Sequence, residues 1–192
     1  MKTIRFLPAL LAVALTSACV PLASLHPLWD ESHQVALPAL AGLWVEQDGG
    51  DTLRFTAAEK GAYKASYCSK DGVSQYEVHA VAINGRYFLD FYPDSEALEK
   101  RLKGESYLPL IPTHFFVRLV LDGDSLKLAF LDDEAVKKKV EKGELNIPLQ
   151  SYEDGILLTA DTSAVQALVA KVADDDDLWG ETATFTRARV PH

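Results

Sequence analysis

The 192-residue sequence has few cysteines and fewer basic than acidic side chains. Two cysteines, Cys19 and Cys68, are too few for the several disulfides that small secreted domains use in place of a large core. With 19 Lys and Arg against 28 Asp and Glu, the net charge is −9. This charge argues against nucleic-acid binding, because such binding needs basic patches.

The sequence also lacks the common catalytic and metal-binding motifs. It has no Gly-x-Ser-x-Gly, no His-Glu-x-x-His and no glycine-rich phosphate loop. The five histidines are scattered, at positions 26, 33, 79, 114 and 192. We therefore predict no catalytic residue, no metal and no cofactor, and an enzyme is the least favoured of the functional hypotheses below.

What is present begins with a predicted export signal in residues 1–18. Lys2 and Arg5 precede a short apolar run that ends in small residues, as in a secretory signal. Residues 15–19, Leu-Thr-Ser-Ala-Cys, resemble the lipobox of bacterial lipoproteins. The resemblance implies cleavage after Ala18 and a lipid anchor on Cys19. An ordinary signal peptide that is cut near Ala18 is the alternative.

The lipobox resemblance also implies a location. Lipoprotein cysteines carry a diacylglycerol, and two acyl chains hold a protein stably to a membrane. Val20 rather than Asp follows the cysteine, which by resemblance to enterobacterial sorting favours the outer membrane, facing the periplasm, in a Gram-negative cell. Cleavage would leave 174 residues with a net charge of −11, because Lys2 and Arg5 are removed. We expect a monomer that is held to the membrane by lipid alone.

Residues 19–38 form a predicted lipidated leader, followed by a single domain in residues 39–192. Pro21, Pro27 and Pro38 exclude one long regular element in the leader. Leu28 and Trp29 favour burial, so we expect the leader to pack on the domain.

From residue 40 onward apolar and polar residues alternate, a pattern typical of half-buried strands. Asn84-Gly85 is the strongest hairpin signal, because both positions tolerate positive φ. Consecutive hairpins predict a mainly β fold, an antiparallel meander that forms a calycin-like barrel, with a β-sandwich as the alternative. The predicted strands cover residues 40–46, 52–56, 62–69, 75–83, 86–92, 114–121, 126–130, 145–150, 155–159 and 182–190.

Three short helices are predicted among these strands. They run from Asp94 to Gly104, from Asp132 or Asp133 to Gly143, and from a cap at Thr162 or Ser163. The third is the most amphipathic, with apolar residues at helical spacing at positions 165, 168, 169 and 172. Four aspartates follow it at 174–177; they lack the glycine and spaced glutamate of a calcium loop, so a solvated linker is favoured.

Residues 42–44, Gly-Leu-Trp, resemble the Gly-x-Trp opening strand of lipocalins and other calycin barrels. In those families the tryptophan closes one end of the barrel and a C-terminal arginine packs on it. The resemblance implies that Arg187 or Arg189 packs on Trp44 in a cation–π contact. It also implies an interior that takes a small apolar ligand, for which the candidate binding residues are Trp44, Tyr63, Tyr67 and Phe88.

The chain also resembles a group of bacterial lipoproteins that combine a lipobox with four short motifs. These motifs are His-Pro-Leu-aromatic at 26–29, Gly-x-Trp at 42–44, Phe-Leu-Asp-aromatic at 88–91 and Pro-x-His-aromatic at 112–115. The resemblance implies an envelope lipoprotein and brings no particular activity with it.

Three polar residues on the predicted strands need an interpretation. Asp90 lies in an apolar strand, and a buried aspartate must be paired, so a structural ion pair, with Arg118 as the candidate partner, is favoured over a catalytic role. His79 lies opposite an apolar strand face and is predicted to be solvated. His114 begins a strand, where a capping or surface role is favoured over a ligand role.

Three functional hypotheses follow. The first is a binding module for a small apolar ligand, the second an envelope structural or protein-interaction module with a filled core, and the third an enzyme. An apolar pocket of several hundred Å³ would favour the first. An exposed apolar patch would favour the second, and titratable groups that converge in a cleft would favour the third.

Overall fold

The structure is a computed structural model that describes residues 22–102, 111–152 and 155–188. Ala18, Cys19, Gly104 and Arg189 lie outside the described residues. Within them, the three helices are α1 (Ser95–Leu102), α2 (Asp133–Glu141) and α3 (Thr162–Val172). The strands are β1 (Ala23–Ser24), β2 (Gly42–Glu46), β3 (Thr52–Ala57), β4 (Tyr63–Ser69), β5 (Gly72–Ile83), β6 (Arg86–Pro93), β7 (His114–Asp122), β8 (Ser125–Leu131), β9 (Leu149–Tyr152), β10 (Gly155–Leu158) and β11 (Trp179–Arg187).

Eight of these strands close into an antiparallel barrel. Strands β2 to β8 are neighbours in chain order, and β11 lies between β8 and β2. Phe185 of β11 pairs with Leu126 of β8 on one side and with Glu46 of β2 on the other. The closed circuit confirms the predicted lipocalin-like barrel rather than the β-sandwich alternative.

Local chain chemistry explains several element boundaries. Asn84 (φ 50°) and Gly85 (φ 74°) form the predicted turn between β5 and β6. The first barrel strand begins at Gly42 instead of residue 40, because Pro38–Leu40 forms a 3₁₀ helix. The last strand begins at Trp179, three residues earlier than predicted, and residues 145–148 form no strand.

Alternate residues of the barrel strands point inward, as the period of two requires. Tyr63, Ala65 and Tyr67 share the inner face of β4. Their neighbour Cys68 is a half-buried free thiol. The buried inward side chains form one apolar core, which includes Trp44, Leu53, Phe55, Tyr63, Val78, Leu89, Phe91, Val117, Leu119, Leu126, Leu128 and Phe185.

A second apolar core, which we call the outer core, lies outside the barrel wall. Outward side chains such as Val81, Phe88 and Phe116 pack there against residues of the leader, α2 and α3. Leu28 of the leader is fully buried in it, and β1 pairs with both β7 and β10. The leader therefore packs on the barrel, as its apolar residues predict, and covers part of the wall.

Helix α3 turns the predicted apolar stripe toward the outer core. Its N-cap is Asp161, whose carboxylate accepts a hydrogen bond from the Ala164 N–H at 2.9 Å. The predicted cap at Thr162 or Ser163 was therefore placed one or two residues too late. All four residues of the stripe are buried, namely Val165, Leu168, Val169 and Val172.

Trp44 closes one end of the barrel. Its side chain is fully buried, and its Nε1 donates a hydrogen bond to the Leu40 carbonyl at 2.9 Å. The Arg187 guanidinium lies 4.2 Å from the Trp44 ring centre, so the expected contact with a C-terminal arginine is present. Gly42 has φ 143°, and a Cβ there would lie 2.5 Å from Nη1 of Arg187. Only glycine permits this close approach without strain.

Candidate functional site

The end of the barrel opposite Trp44 holds a cavity of about 300 Å³. This volume is at the lower end of the range of pockets for small organic ligands, about 300–1,000 Å³. Every barrel strand contributes an inward side chain to the walls. The lining consists of Glu46, Leu53, Tyr67, Tyr76, Phe91, Phe115, Val117, Leu128, Phe130, Ala183 and Phe185.

Packed aromatic rings form one wall of the cavity. Phe91 and Phe115 stack with their ring centres 4.9 Å apart. Tyr76 meets both rings edge-on, at 5.6 and 5.5 Å, and Phe130 stacks on Phe115 at 6.1 Å. Such mutual contacts hold the rings in place, so the wall is formed before any ligand arrives.

Glu46 is the acidic side chain in this apolar lining. It follows Trp44 by two residues on β2, so the strand period directs it inward. It is half-buried, and its carboxylate has no hydrogen-bond or ion-pair partner among the described residues. Burial raises the pKa of the Glu46 carboxyl, and the nearby carboxylates of Asp51 and Asp48 raise it further.

Asp51, in contrast, has a partner at the rim of the cavity. The Tyr67 hydroxyl donates a short hydrogen bond to the Asp51 carboxylate. Burial raises the pKa of the Tyr67 hydroxyl most, and the hydrogen bond to the Asp51 carboxylate raises it further. The hydroxyl therefore stays protonated and remains the donor in this bond. The pair fixes the β2–β3 loop beside the cavity and leaves Glu46 as the carboxylate that faces the interior.

Three of the four predicted ligand-binding residues point into the barrel, but only Tyr67 lines the cavity. Trp44 lies at the closed end, where the core is packed. Tyr63 is buried, and its hydroxyl accepts a hydrogen bond from the Leu37 N–H at 2.8 Å. These two residues therefore support the cavity from below and do not form its surface.

Phe88, the fourth candidate, points away from the barrel interior. Leu89 and Phe91 occupy the inward positions of β6, so the alternation places Phe88 in the outer core. Its ring packs on Trp179 with centres 5.5 Å apart. The expectation that Phe88 faces a ligand is therefore corrected.

Sequence reasoning missed Glu46 and most of the aromatic wall. A period of two counted from Trp44 already points Glu46 inward, and this signal was available. Alternation shows which residues of a strand share a face, but it does not say which end of a barrel is packed. Tyr76, Phe91 and Phe115 could not be assigned to a cavity on that basis.

Asp90 is fully enclosed in the outer core, with 1% of its surface exposed. Its carboxylate accepts hydrogen bonds from the backbone N–H groups of Leu28 at 2.7 Å and Trp29 at 3.4 Å, and lies 2.8 Å from Nδ1 of His114. Burial raises the pKa of the Asp90 carboxyl, while its partners oppose the rise. His114, predicted at the surface, is instead a largely buried partner of Asp90.

Among the described residues, the Asp90–His114 pair is not hydrogen-bonded to a nucleophilic side chain. Ser24 is the strand neighbour of His114. However, Ser24 is fully buried, and its hydroxyl donates to the His26 carbonyl at 2.7 Å. The arrangement instead holds the leader against the barrel.

His79 is buried, contrary to its predicted solvation. Its ring stacks on Trp29 of the leader, with centres 3.7 Å apart and planes within 6°. Its two ring nitrogens lie 3.2 Å from the Gln34 side chain and 3.0 Å from the Glu77 carboxylate. The leader therefore covers a strand face that alternation alone assigns to solvent.

The aspartates at 174–177 contribute ion pairs that attach the end of α3 to its surroundings. Three basic residues pair with them: Arg86 of β6, Lys139 of α2 and Arg118 of β7, at 2.7, 2.7 and 2.8 Å. Arg118 was expected to pair with Asp90, and that prediction is wrong. Within the described residues no group of three His, Cys, Asp or Glu side chains is arranged to hold a metal ion.

Comparison of the chain with protein-family models, with curated proteins and with solved structures finds no match. Over the part of the chain that the structure describes, none of the helices has both the length and the apolar character needed to cross a bilayer.

Proposed function

We propose that this protein is a lipid-anchored lipoprotein of the bacterial cell envelope whose barrel binds a small, largely apolar ligand. The observation that carries the proposal is the 300 Å³ cavity with its aromatic wall. Small barrels can fill their interior with side chains. Here the Trp44 end is packed, while the opposite end keeps a preformed space that all eight strands line.

The size of the cavity limits the ligand. At about 30 Å³ for each water molecule, the space corresponds to roughly ten waters. A compact ligand of about the size of a naphthalene derivative therefore fits better than a long acyl chain. The alternative hypothesis, an envelope interaction module with a filled interior, does not explain this cavity.

A cavity-filling substitution tests the binding site. Ala183 lines the cavity, and the next position toward the N-terminus, Thr182, is exposed on the outer face of β11. In the chain from Val20 onward, which holds every described element, calorimetry with 1-naphthylmethanol should detect binding. Ala183→Phe should weaken it at least about tenfold, since the new ring occupies the space, while Thr182→Phe should not. Equal affinity in both variants, each with a cooperative thermal transition, would contradict the site.

The proposed anchor is supported by the lipobox and by the short distance from Cys19 to the fold. Leu22, only 2% exposed, is three residues away. Three extended residues span at most about 11 Å, so lipid on Cys19 would hold the barrel close to the bilayer. Cys19→Ser should release the protein from the membrane fraction and abolish labelling with radioactive palmitate. Unchanged membrane retention would refute the anchor.

A further inference from the structure

The Glu46 carboxylate defines one chemical property of the cavity. Glu46 extends from β2 into the interior, and its Oε2 occupies the space where a side chain at Gly49 would begin. The charge lies at the loop end of the cavity, across the barrel from the aromatic wall.

Among the described residues, no Lys, Arg or His forms an ion pair with this carboxylate. Among the described residues that line the cavity, none is Lys or Arg. The nearby charged groups that act on Glu46 are the carboxylates of Asp48 and Asp51, which have the same sign. A partly desolvated carboxylate without a partner is unfavourable, and elsewhere in this protein buried polar side chains of the described residues all have partners.

The aromatic wall suits a positive charge as well as an apolar body. The faces of Phe, Tyr and Trp rings attract cations through their quadrupole, and sites for organic ammonium ions are commonly lined by such rings. Phe91, Phe115 and Tyr76 supply these rings on the wall that faces Glu46 across the cavity. The same carboxylate would repel a fatty acid or another organic anion, so the lining selects against that class.

We propose that the ligand is a small organic cation, an apolar body that carries an ammonium group, and that the ammonium pairs with Glu46 while the body packs on the aromatic wall. This inference rests on the proposed ligand-binding function. The net charge of −9 also favours the approach of a cation over that of an anion.

Three probes of nearly equal shape separate charge from size. They are 1-naphthylmethylamine, 1-naphthylmethanol and 1-naphthoic acid, which are a cation, a neutral molecule and an anion at pH 7. Calorimetry with the chain from Val20 onward should show the amine binding about tenfold or more tighter than the alcohol, as expected for a hydrogen bond between charged groups. The acid should bind more weakly than the alcohol.

Two variants that each remove one negative charge assign the preference to Glu46. Glu46→Gln keeps the shape of the side chain and should bring the amine affinity down to that of the alcohol, with the alcohol affinity unchanged. Asp48→Asn removes an exposed loop charge outside the lining and should change the amine affinity less than about threefold. A thermal melt of each variant confirms that it is folded.

The pH dependence gives a second readout. The titratable groups near Glu46 are Asp48, Asp51 and the Tyr67 and Tyr76 phenols. Because the Glu46 carboxyl has a raised pKa, protonation on acidification begins above the usual range for glutamate. The amine should then lose affinity as the pH falls toward 4.5, while the alcohol should not.

The outcomes distinguish the two proposals. If the alcohol binds and the amine binds no tighter, the cation inference is wrong and the apolar binding site stands. If Glu46→Gln weakens both ligands equally, the carboxylate has only a structural role and the inference is again wrong. If none of the three probes binds, the proposed binding function fails together with the inference.

Discussion

Inside the barrel, the Glu46 carboxylate faces a cavity and has no partner among the described residues. In the outer core, by contrast, the Asp90 carboxylate accepts hydrogen bonds from two backbone N–H groups and lies beside His114. Both carboxylates are on barrel strands among apolar side chains. The difference between them is that the described residues supply partners for the Asp90 carboxylate and none for the Glu46 carboxylate.

This contrast separates two roles within one fold. The outer core binds the leader, α2 and α3 to the wall through apolar packing and satisfied polar groups, so it serves stability. The inner core is packed at the Trp44 end and empty at the other end, so part of its potential stability is given up for a cavity. Substitutions in the two cores should therefore change different measured properties.

Asp90→Ala should have the largest effect, because it leaves His114 and the N–H groups of Leu28 and Trp29 without their acceptor. Removing one partner of a buried pair costs about 3–5 kcal/mol, and urea unfolding should show a loss of this size. Exposed Asp122 is the matched control, and Asp122→Ala should change stability by less than about 0.5 kcal/mol. A similar loss in both variants would show that Asp90 does not hold the leader.

Gly42→Ala should have the next largest effect and should act at the closed end of the inner core. Alanine at φ 143° is strained, and its Cβ would displace Arg187 from Trp44, so we expect a loss of about 2–3 kcal/mol. Gly85 also has positive φ but has open space around it. Gly85→Ala should cost about 1 kcal/mol. Equal losses in thermal unfolding would mean that the Arg187 contact adds nothing.

Glu46→Gln should have the smallest effect on stability and the opposite sign. The pKa of Glu46 is higher in the folded state, so the folded state disfavours the ionised carboxylate. The resulting loss of stability therefore develops as the pH rises from about 4.5 through the raised pKa. The variant should therefore be more stable than the wild type at pH 7, by less than about 1 kcal/mol. The gain should vanish at pH 4, and a gain that persists there would contradict the electrostatic explanation.

The barrel could be predicted from the sequence because alternation and turn residues are local signals. Asn84-Gly85 predicted the β5–β6 turn, and the structure has this turn at the same two residues. The errors have one physical source. Alternation defines two faces of a strand, but it does not show that a leader and helices distant in sequence cover the outer face. His79 and His114 were assigned to solvent, and Phe88 to the interior, for that reason.

The cavity was beyond sequence reasoning for a related cause. Its existence depends on how closely eight inward rows of side chains approach one another, and each row read alone shows only that its residues are apolar. Glu46 is the exception, since its position two residues after Trp44 is a local signal of an inward charge, and sequence reasoning missed it.

Native mass spectrometry of the protein purified from its own cell envelope tests the central claim most directly. The wild type should carry a non-covalent small molecule whose mass is separate from that of the lipid anchor. Ala183→Phe, prepared in parallel, should lose that molecule, and Thr182→Phe should keep it. Wild-type protein that is repeatedly found without any bound molecule, under conditions gentle enough to preserve weak complexes, would contradict a ligand-binding role for the cavity.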